Sequence, residues 1–140
     1  MRGTTASGSG AEDPTVARIL VVDDDRIVLR LVQWRLERSG HQVIGVESPQ
    51  SALELVLAGD IPDLVVLDIS MPEISGIELL QTLRTGFGLT NLPAIFLSSR
   101  ISPEDVEAGR ALGATYLTKP FVASALLKAI TEGLKSPRTP

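Results

Sequence analysis

The chain lacks cysteine, has few aromatic residues, and contains no long apolar run in its 140 residues. The absence of cysteine excludes a disulfide framework and a thiolate metal site. Lysine and arginine total 13 against 17 aspartates and glutamates, and no basic stripe is visible, so we expect no direct nucleic-acid binding. No apolar run approaches the ~20 residues of a membrane-spanning helix, and residues 1–10 lack the apolar stretch of a secretory signal. We therefore expect a cytoplasmic protein without membrane insertion.

Five short apolar segments alternate with five helix-like segments along the middle of the chain. Their length and branched composition are typical of buried parallel strands. The alternation predicts an α/β fold: a doubly wound, five-stranded parallel sheet of flavodoxin-like order 2-1-3-4-5, with helices on both faces. The predicted strands are residues 18–22, 42–47, 64–68, 94–98 and 115–118, and the predicted helices lie at about residues 26–38, 49–58, 75–85, 102–113 and 121–134.

Both ends of the chain are rich in small polar residues and proline. Such composition is typical of disordered tails. We therefore predict a disordered N-terminal tail at residues 1–16, one domain at 17–135 and a C-terminal tail at 136–140.

Acidic residues stand where two of the predicted strands end. Asp23 and Asp24 follow the first strand, and Asp68 ends the third. Because functional groups gather at the carboxyl ends of strands in an open α/β sheet, we expect these carboxylates to lie close together. Crowded carboxylates repel one another unless a cation lies among them, and oxygen ligands favour Mg²⁺. A carboxylate placed there can also attack phosphorus and form an aspartyl phosphate.

Two further residues at strand ends suit the same chemistry. Lys119 would supply a cation on a second side of a phosphoryl group, and Pro120 favours a cis peptide bond that aims the lysine inward. Ser98 offers a hydroxyl that can donate to a phosphoryl oxygen. Taken singly, these residues are also typical of a surface lysine and a strand-ending serine. Only their combination with the acids predicts a phosphate-handling site.

Several motifs resemble the receiver domain of two-component response regulators, over residues 18–134. They are Leu-Val-Val-Asp-Asp at 20–24, Leu-Asp-Ile-Ser-Met-Pro at 67–72 with Gly76, the strand end at Ser98, and Tyr-Leu-Thr-Lys-Pro-Phe at 116–121. The order and spacing match the family, and the chain looks most like a stand-alone, chemotaxis-regulator-like receiver.

The resemblance implies a role for each residue of the site. Asp68 would accept phosphate from a sensor histidine kinase or a phosphotransfer protein, and Ser98 and Lys119 would bind the phosphoryl oxygens. Tyr116 would turn inward when Ser98 moves. The groups that would hold Mg²⁺ are Asp23, Asp24, Asp68 and the backbone carbonyl of Ser70. Such a protein promotes its own phosphorylation and dephosphorylation without independent substrate turnover. An unknown downstream protein would read its state, and a phosphorylation-dependent homodimer is a further option.

Three alternatives stay open at this point. The chain could be the receiver portion of a longer response regulator whose output domain is absent, or a pseudo-receiver that binds partners without being phosphorylated. A haloacid-dehalogenase-like phosphohydrolase is a third class. Such enzymes require a second aspartate two positions after the nucleophile, where this chain has Ser70.

The first helix has apolar residues on more than one face. On the receiver pattern, its core-facing residues would be Val28, Leu31, Val32 and Leu36. The residues left for the outer faces would include Ile27, Leu29 and Trp34. An exposed tryptophan beside an arginine has the character of a binding hot spot. We therefore predict a partner-docking face formed by Ile27, Arg30 and Trp34.

Four other residues carry smaller predictions. Asp25 is expected to cap the first helix rather than bind metal, and His41, the only histidine, to be a surface residue away from the site. Only Thr115 separates Gly113-Ala114 from the tyrosine, where the family usually has two residues, so the turn before the fifth strand should be tight. Arg100 could shield a phosphoryl group and lengthen its lifetime.

Overall fold

The structure, a computed structural model, describes residues 16–99 and 102–135. Within these residues, five parallel strands form one sheet in the order β2-β1-β3-β4-β5, which confirms the predicted doubly wound architecture. The strands are β1 Arg18–Val22, β2 Gln42–Val46, β3 Leu64–Asp68, β4 Ala94–Ser98 and β5 Thr115–Thr118. Residues 1–15 and 136–140 of the predicted tails, and Arg100, lie outside the described residues.

Five α-helices connect and follow the strands of the described chain. They are α1 Arg26–Arg38, α2 Pro49–Leu57, α3 Gly76–Gln81, α4 Pro103–Ala111 and α5 Ala123–Lys135. Side-chain oxygens cap the first four helices by accepting backbone N–H groups of the first turn, and the capping residues are Asp25, Ser48, Ser75 and Ser102. The predicted capping box also forms, since Ser75 and Glu78 exchange hydrogen bonds of 3.0 and 3.1 Å.

The sheet is covered on both faces because its strands are apolar on both sides. Ile19 and Val21 of β1 pack in a core with α1 and α5, whereas Leu20 and Val22 face a second core that contains α2 and α3. Phe96 of β4 is fully buried in this second core. The helices therefore cover the two faces of the sheet but not the carboxyl ends of its strands. Side chains from several strands meet at this edge.

The predicted orientation of α1 is wrong at two positions. Leu29 is buried at 6 % exposure, whereas Leu31 is 51 % exposed. The cause lies on β2, where Gly45 has no side chain. A Cβ at position 45 would stand 3.0 Å from Leu29 Cδ1 and 2.8 Å from Gln33 Oε1, so the leucine fills the space that another residue would need. This packing rotates α1 and turns Leu31 toward solvent.

The predicted helix at residues 75–85 is α-helical only as far as Gln81. It continues as a π-helical turn, Thr82–Gly86, in which the N–H of Phe87 donates to the carbonyl of Thr82. Within this turn, the Arg84 guanidinium donates to the carbonyls of Leu92 and Leu112. Arg84 thus joins the end of this helical segment to the loop before β4 and to the end of α4.

The connection into β5 is short, as the sequence predicted. Gly113 takes a positive φ of 71°, and Ala114 donates its N–H to the carbonyl of Gly109 at 2.9 Å, which ends α4 directly before β5. Thr118 pairs with Ser98 in the parallel register. The short turn therefore leaves the end of β5 aligned with the end of β4.

His41 is only half-buried and does not lie at the carboxyl edge of the sheet. Its Nδ1 accepts a hydrogen bond of 3.1 Å from the N–H of Ala17, just before β1. His41 is therefore part of the packing around the start of β1 rather than a freely exposed residue, and it lies away from the acidic strand ends, as predicted.

Candidate functional site

Three carboxylates converge at the carboxyl edge of the sheet. Asp23, Asp24 and Asp68 each offer one oxygen, and these oxygens all lie within 4.8 Å of one another. Asp23 and Asp68 are buried, whereas Asp24 is exposed. Asp25 lies outside this group and caps α1, as predicted. The predicted acidic cluster is therefore formed by residues from β1 and β3, far apart in sequence.

Backbone hydrogen bonds fix the orientation of Asp23. Its Oδ1 accepts the N–H of Asp25 at 2.9 Å, and its own N–H donates to the carbonyl of Val46 at 3.1 Å. Its Oδ2 is buried and finds no hydrogen-bond partner of good geometry within the described part of the chain. The close neighbour of this oxygen is a cation, Lys119 Nζ, in an ion pair of 2.9 Å. Asp23 Oδ2 can therefore still accept a further interaction.

The loop after β3 holds Asp68 in place. The N–H of Ser70 donates to Asp68 Oδ1 at 3.2 Å, and the N–H of Gly76 donates to the carbonyl of Ile69 at 3.0 Å. A Cβ at Gly76 would collide with the backbone carbonyl oxygen of Asp68. Only glycine lets the start of α3 approach the end of β3 this closely.

Lys119 supplies the positive charge that the sequence predicted. Its Nζ lies 2.9 Å from Asp23 Oδ2 and 3.5 Å from Asp68 Oδ1, and its side chain is largely buried. The N–H of Lys119 donates to the carbonyl of Ser98 at 3.0 Å, and the peptide bond to Pro120 is cis, as predicted. The lysine thus bridges the acids of two strands from the end of a third.

The electrostatics of this cluster are unfavourable for a second ionised acid. The pKa of Asp68 is raised from 3.8 to about 6, chiefly by burial and then by the neighbouring Asp23 carboxylate, while Lys119 acts in the opposite direction. Burial alone would lower the pKa of Lys119, but Asp23 and Asp68 outweigh it and raise that pKa above its ordinary value. One lysine therefore compensates the crowded carboxylates only in part.

Ser98 and Tyr116 lie beside this cluster on neighbouring strands. Ser98 is buried at the end of β4, and the half-buried ring of Tyr116 lies 6.2 Å from that of Phe96 at a 56° tilt. Burial raises the pKa of Tyr116, and a hydrogen bond with the Ser98 side chain opposes that rise. The tyrosine hydroxyl therefore reaches toward Ser98, and the ring packs close to Gly109 of α4.

The donor set fits a hard divalent cation. Carboxylate oxygens are the ligands that Mg²⁺ prefers, and the buried Asp23 Oδ2, which is ion-paired with Lys119 Nζ, still has acceptor capacity. A divalent cation would also offset the repulsion that raises the pKa of Asp68. Asp23, Asp24 and Asp68 are thus suited to hold Mg²⁺, while the part expected of the Ser70 carbonyl stays a prediction.

The residues predicted to dock a partner do not join this cluster but lie on the outer face of α1. Ile27, Arg30 and Trp34 are exposed. Beside them runs a groove of about 270 Å³, lined on one side by residues of α1 and on the other by 119–121 and Ala123. Sequence reasoning missed this groove and the exposure of Leu31, because both depend on how α1 is rotated against β2. Gly45 of β2 was the sequence signal that could have revealed this rotation of α1.

None of the helices at residues 16–99 and 102–135 combines the length and apolar character needed to cross a membrane.

Comparison with known proteins gives one consistent result. The "Response regulator receiver domain" family matches residues 19–131. The transcriptional regulatory protein YrkP of Bacillus subtilis, itself uncharacterised, is 44 % identical over 105 residues, which cover 74 % of this chain and 43 % of YrkP. Response regulator MprA of Mycolicibacterium vanbaalenii is 43 % identical over 112 residues, covering 79 % and 47 % of the two chains.

A solved structure agrees with these sequence matches. The chemotaxis protein CheY4 of Vibrio cholerae superposes with a TM-score of 0.75 at 30 % identity, over 84 % of this chain and 98 % of that one. The chain spans less than half the length of YrkP and MprA, so the likeness concerns their receiver portions. With the family match covering most of the sequence, this chain belongs to the response regulator receiver domain family.

Proposed function

We propose that this protein is a phosphoacceptor receiver of a two-component system, phosphorylated on Asp68 by a sensor histidine kinase or a phosphotransfer protein. The observation that carries the proposal is the ion pairing of Lys119, whose Nζ contacts the carboxylates of both Asp23 and Asp68 at one strand edge. Burial and the neighbouring Asp23 carboxylate raise the pKa of Asp68, and groups perturbed in this way cluster at functional sites. A buried acid beside a lysine suits a group that must receive a charged phosphoryl group.

In the proposed reaction, a carboxylate oxygen of Asp68 forms a bond to phosphorus while the bond from phosphorus to the donor's imidazole nitrogen breaks. The electron pair of that bond stays with the imidazole, which takes up a proton. A bound Mg²⁺ would supply charge neutralisation for the incoming phosphoryl group. Lys119 and Ser98 provide donors to the other phosphoryl oxygens. The residues proposed to hold Mg²⁺ are Asp23, Asp24, Asp68 and the backbone carbonyl of Ser70.

The proposed readout uses Ser98 and Tyr116. Phosphorylation adds negative charge and acceptor oxygens beside Ser98. Drawing the Ser98 hydroxyl toward those oxygens would remove its hydrogen bond with Tyr116, and the ring would settle further between β4 and Gly109 of α4. The α4–β5 surface would then differ between the two states and present different contacts to a downstream protein or a second copy.

The proposed docking face for the phosphodonor is the outer side of α1, where Ile27, Arg30 and Trp34 are exposed. An exposed tryptophan beside arginine is the composition of a binding hot spot. Replacing Trp34 with alanine should slow phosphotransfer from the cognate kinase, because the donor loses its anchor. Unchanged transfer would remove Trp34 from the proposal.

The experiment for the proposed function is intact-mass analysis over time after mixing the protein with acetyl phosphate and Mg²⁺. One phosphoryl adduct is expected, and Asp68→Asn, the matched control, should show none. An adduct that persists in the variant would mean that another residue is modified. Without any adduct from acetyl phosphate or phosphorylated donors, the pseudo-receiver interpretation would replace this proposal.

A second candidate is the receiver portion of a longer regulator. It is favoured by the matched relatives, which are more than twice as long as the segment they share with this chain. The genomic reading frame around residues 136–140 would distinguish this candidate from the stand-alone receiver. The family consists of signalling modules rather than conventional enzymes, so in either case we propose no independent substrate turnover. The proposed location is the cytoplasm.

A further inference from the structure

Strand β2 forms one edge of the sheet, and within the described chain only β1 pairs with it. The N–H of Gln42 donates to the carbonyl of Ala17, so the backbone groups of Gln42 point toward β1. Because alternate residues of a strand bond the same neighbour, Val43 and Gly45 direct their N–H and C=O groups to the outer side. These four groups have no hydrogen-bond partner among the described residues. The outer side of β2 is therefore a free hydrogen-bonding edge.

The residues of β2 do not protect this edge. Its sequence, Gln-Val-Ile-Gly-Val, contains neither a charged residue nor a proline, the residue types that usually prevent an edge strand from pairing with another chain. Ile44 is 38 % exposed, and Ile61, in the loop after α2, is 40 % exposed. Both line a cavity of about 90 Å³, so the apolar surface here is not fully packed within one chain. The edge is therefore open to pairing with another strand.

We propose that β2 pairs with β2 of a second copy of this chain, antiparallel and about a two-fold axis at Ile44. The two five-stranded sheets then join into one. This register places Val43 of each copy opposite Gly45 of the other, and each such pair exchanges two hydrogen bonds. All the outward groups of both strands are satisfied in this way. The free edge is thus complementary to itself.

The side chains of β2 also fit this register. On the α2 face, Ile44 meets Ile44 of the other copy at the axis, where the residues of a non-hydrogen-bonded pair come closest. On the α1 face, Val43 comes opposite Gly45 rather than opposite a second branched side chain. At the strand ends, Glu47 comes opposite His41. No two groups of like charge therefore face each other along the paired strands, an arrangement that would destabilise them.

Helix α1 adds charge complementarity over the same axis. Gln33 lies above Gly45, since its Oε1 stands 2.8 Å from the position of a Cβ on that glycine. Arg30 and Glu37 lie about one helical turn to either side of Gln33, and both are exposed. A two-fold axis at Ile44 makes the two α1 helices antiparallel, so it brings Arg30 of each copy toward Glu37 of the other. This charge pattern favours a second copy over an unrelated strand as the occupant.

The inferred dimer goes beyond the proposed function because it does not involve the phosphoacceptor. Strands β4 and β5, which carry Ser98 and Tyr116, are separated from β2 by β1 and β3. The dimer therefore leaves the α4–β5 surface of both copies free and needs no phosphoryl group on Asp68. A phosphorylation-dependent homodimer through the α4–β5 surface would differ on both counts.

Sedimentation velocity of the full, unphosphorylated chain over a range of micromolar concentrations tests this dimer. The main variant is Ile44→Lys, which places two ammonium groups opposite each other at the axis, and it should raise the dimer dissociation constant by about tenfold or more. The matched control is Val122→Lys, an apolar residue after β5 that is 65 % exposed. Its dissociation constant should stay within about twofold of wild type. Acetyl phosphate should label Ile44→Lys as fast as wild type, because Ile44 lies away from Asp68.

Two further measurements locate the axis. Mixing Ile44→Lys with Ile44→Glu should restore dimers as heterodimers, because residue 44 meets only its counterpart. In amide exchange followed by NMR, the N–H groups of Val43 and Gly45 should exchange more slowly at high protein concentration, whereas that of Ile44, which faces β1 in both states, should not change. Val43→Pro should also weaken the dimer, because it removes an outward donor without removing a bond to β1.

Three results would overturn this inference. A wild-type chain that stays monomeric at every concentration would leave the edge of β2 to a strand of another protein. Slow exchange of the Val43 and Gly45 amides that does not depend on concentration would mean that a segment of the same chain covers the edge. Dimers that Val122→Lys weakens and Ile44→Lys does not would form through the opposite side of the sheet.

Discussion

Replacing Asp68 with asparagine should stabilise the metal-free protein, although it removes the proposed functional group. In the folded state, burial and the nearby Asp23 carboxylate raise the pKa of Asp68 from 3.8 to about 6. Near neutral pH the acid is therefore ionised in an environment that disfavours its charge. Asparagine keeps the acceptor oxygen for the N–H of Ser70 and removes the charge.

The magnitude follows from the pKa difference between the folded and unfolded states. A rise of about two units corresponds to about 3 kcal/mol of lost stability once the acid is ionised in both states. The ion pair with Lys119, which the variant loses, already lowers the folded pKa of Asp68 and is therefore contained in this figure. The stabilisation should still exceed about 1 kcal/mol, which most surface substitutions do not reach.

The sign of the pH dependence is opposite to that of an ordinary salt-bridged acid. Because the folded pKa is the higher one, the contribution of Asp68 to stability is fully present below pH 3.8 and is lost as the pH rises through about 6. The difference in free energy of unfolding between Asp68→Asn and wild type should therefore be small at low pH. This difference should grow as the pH rises from 3.8 to about 6 and stay constant at higher pH.

Urea unfolding with chelator present, followed by far-UV circular dichroism at several pH values, measures this difference. Mg²⁺ should reduce the difference in free energy of unfolding between Asp68→Asn and wild type at neutral pH, because the cation relieves the repulsion among the carboxylates of the wild-type protein. If the asparagine variant were less stable than wild type at neutral pH, or equally stabilised at every pH, the charge repulsion inferred at Asp68 would be wrong.

Three further predictions concern the site and its support. Mg²⁺ should raise the thermal unfolding midpoint of wild-type protein in a concentration-dependent way and should do so much less in Asp23→Asn, as scanning calorimetry would show. Lys119→Gln should slow labelling by acetyl phosphate by about tenfold or more in intact-mass kinetics, because a charged donor to the phosphoryl group is lost. Gly45→Ala should destabilise the fold by about 1–3 kcal/mol in urea unfolding, since its Cβ would stand 3.0 Å from Leu29 Cδ1. In Gly86→Ala, the nearest contact to a new Cβ is an ordinary 3.6 Å, so that variant is the control.

The sheet and its acidic edge could be predicted because they depend on local sequence. The apolar runs gave the bounds of β1, β3, β4 and β5, and each ended where a polar side chain stood in the sequence. Parallel strands then bring these ends together whatever the details of the loops. The expectation that Asp23, Asp24 and Asp68 would cluster is confirmed for that reason.

The rotation of α1 could not be predicted from the helix alone. Both Leu29 and Leu31 are apolar, and helical periodicity allows either to face the core. Gly45 of β2 determines which leucine faces the core, because its lack of a side chain leaves space for Leu29. The π-helical turn was missed for a related reason: its register and the Arg84 contacts to Leu92 and Leu112 depend on distant backbone carbonyls.

The ion pairs within the site likewise could not be predicted from the sequence. Lys119 was expected near a phosphoryl group, yet nothing in the local pattern says that its ammonium contacts Asp23 more closely than Asp68. That preference depends on two loops, one of which positions Asp23 through the N–H of Asp25. Side-chain partners across strands require coordinates, whereas residue types at strand ends do not.

In the proposed function, the position of Lys119 would couple partner docking to phosphorylation. The lysine lines the groove beside α1 and also contacts Asp23 and Asp68, so the two sites share one side chain. A phosphoryl group on Asp68 would attract the ammonium and change the groove wall that a docked partner meets. By thermodynamic linkage, a partner whose affinity depends on that wall must alter the equilibrium at Asp68 by the same factor. A phosphodonor that binds the unphosphorylated state more tightly would then be released once transfer is complete, with no need for a separate signal.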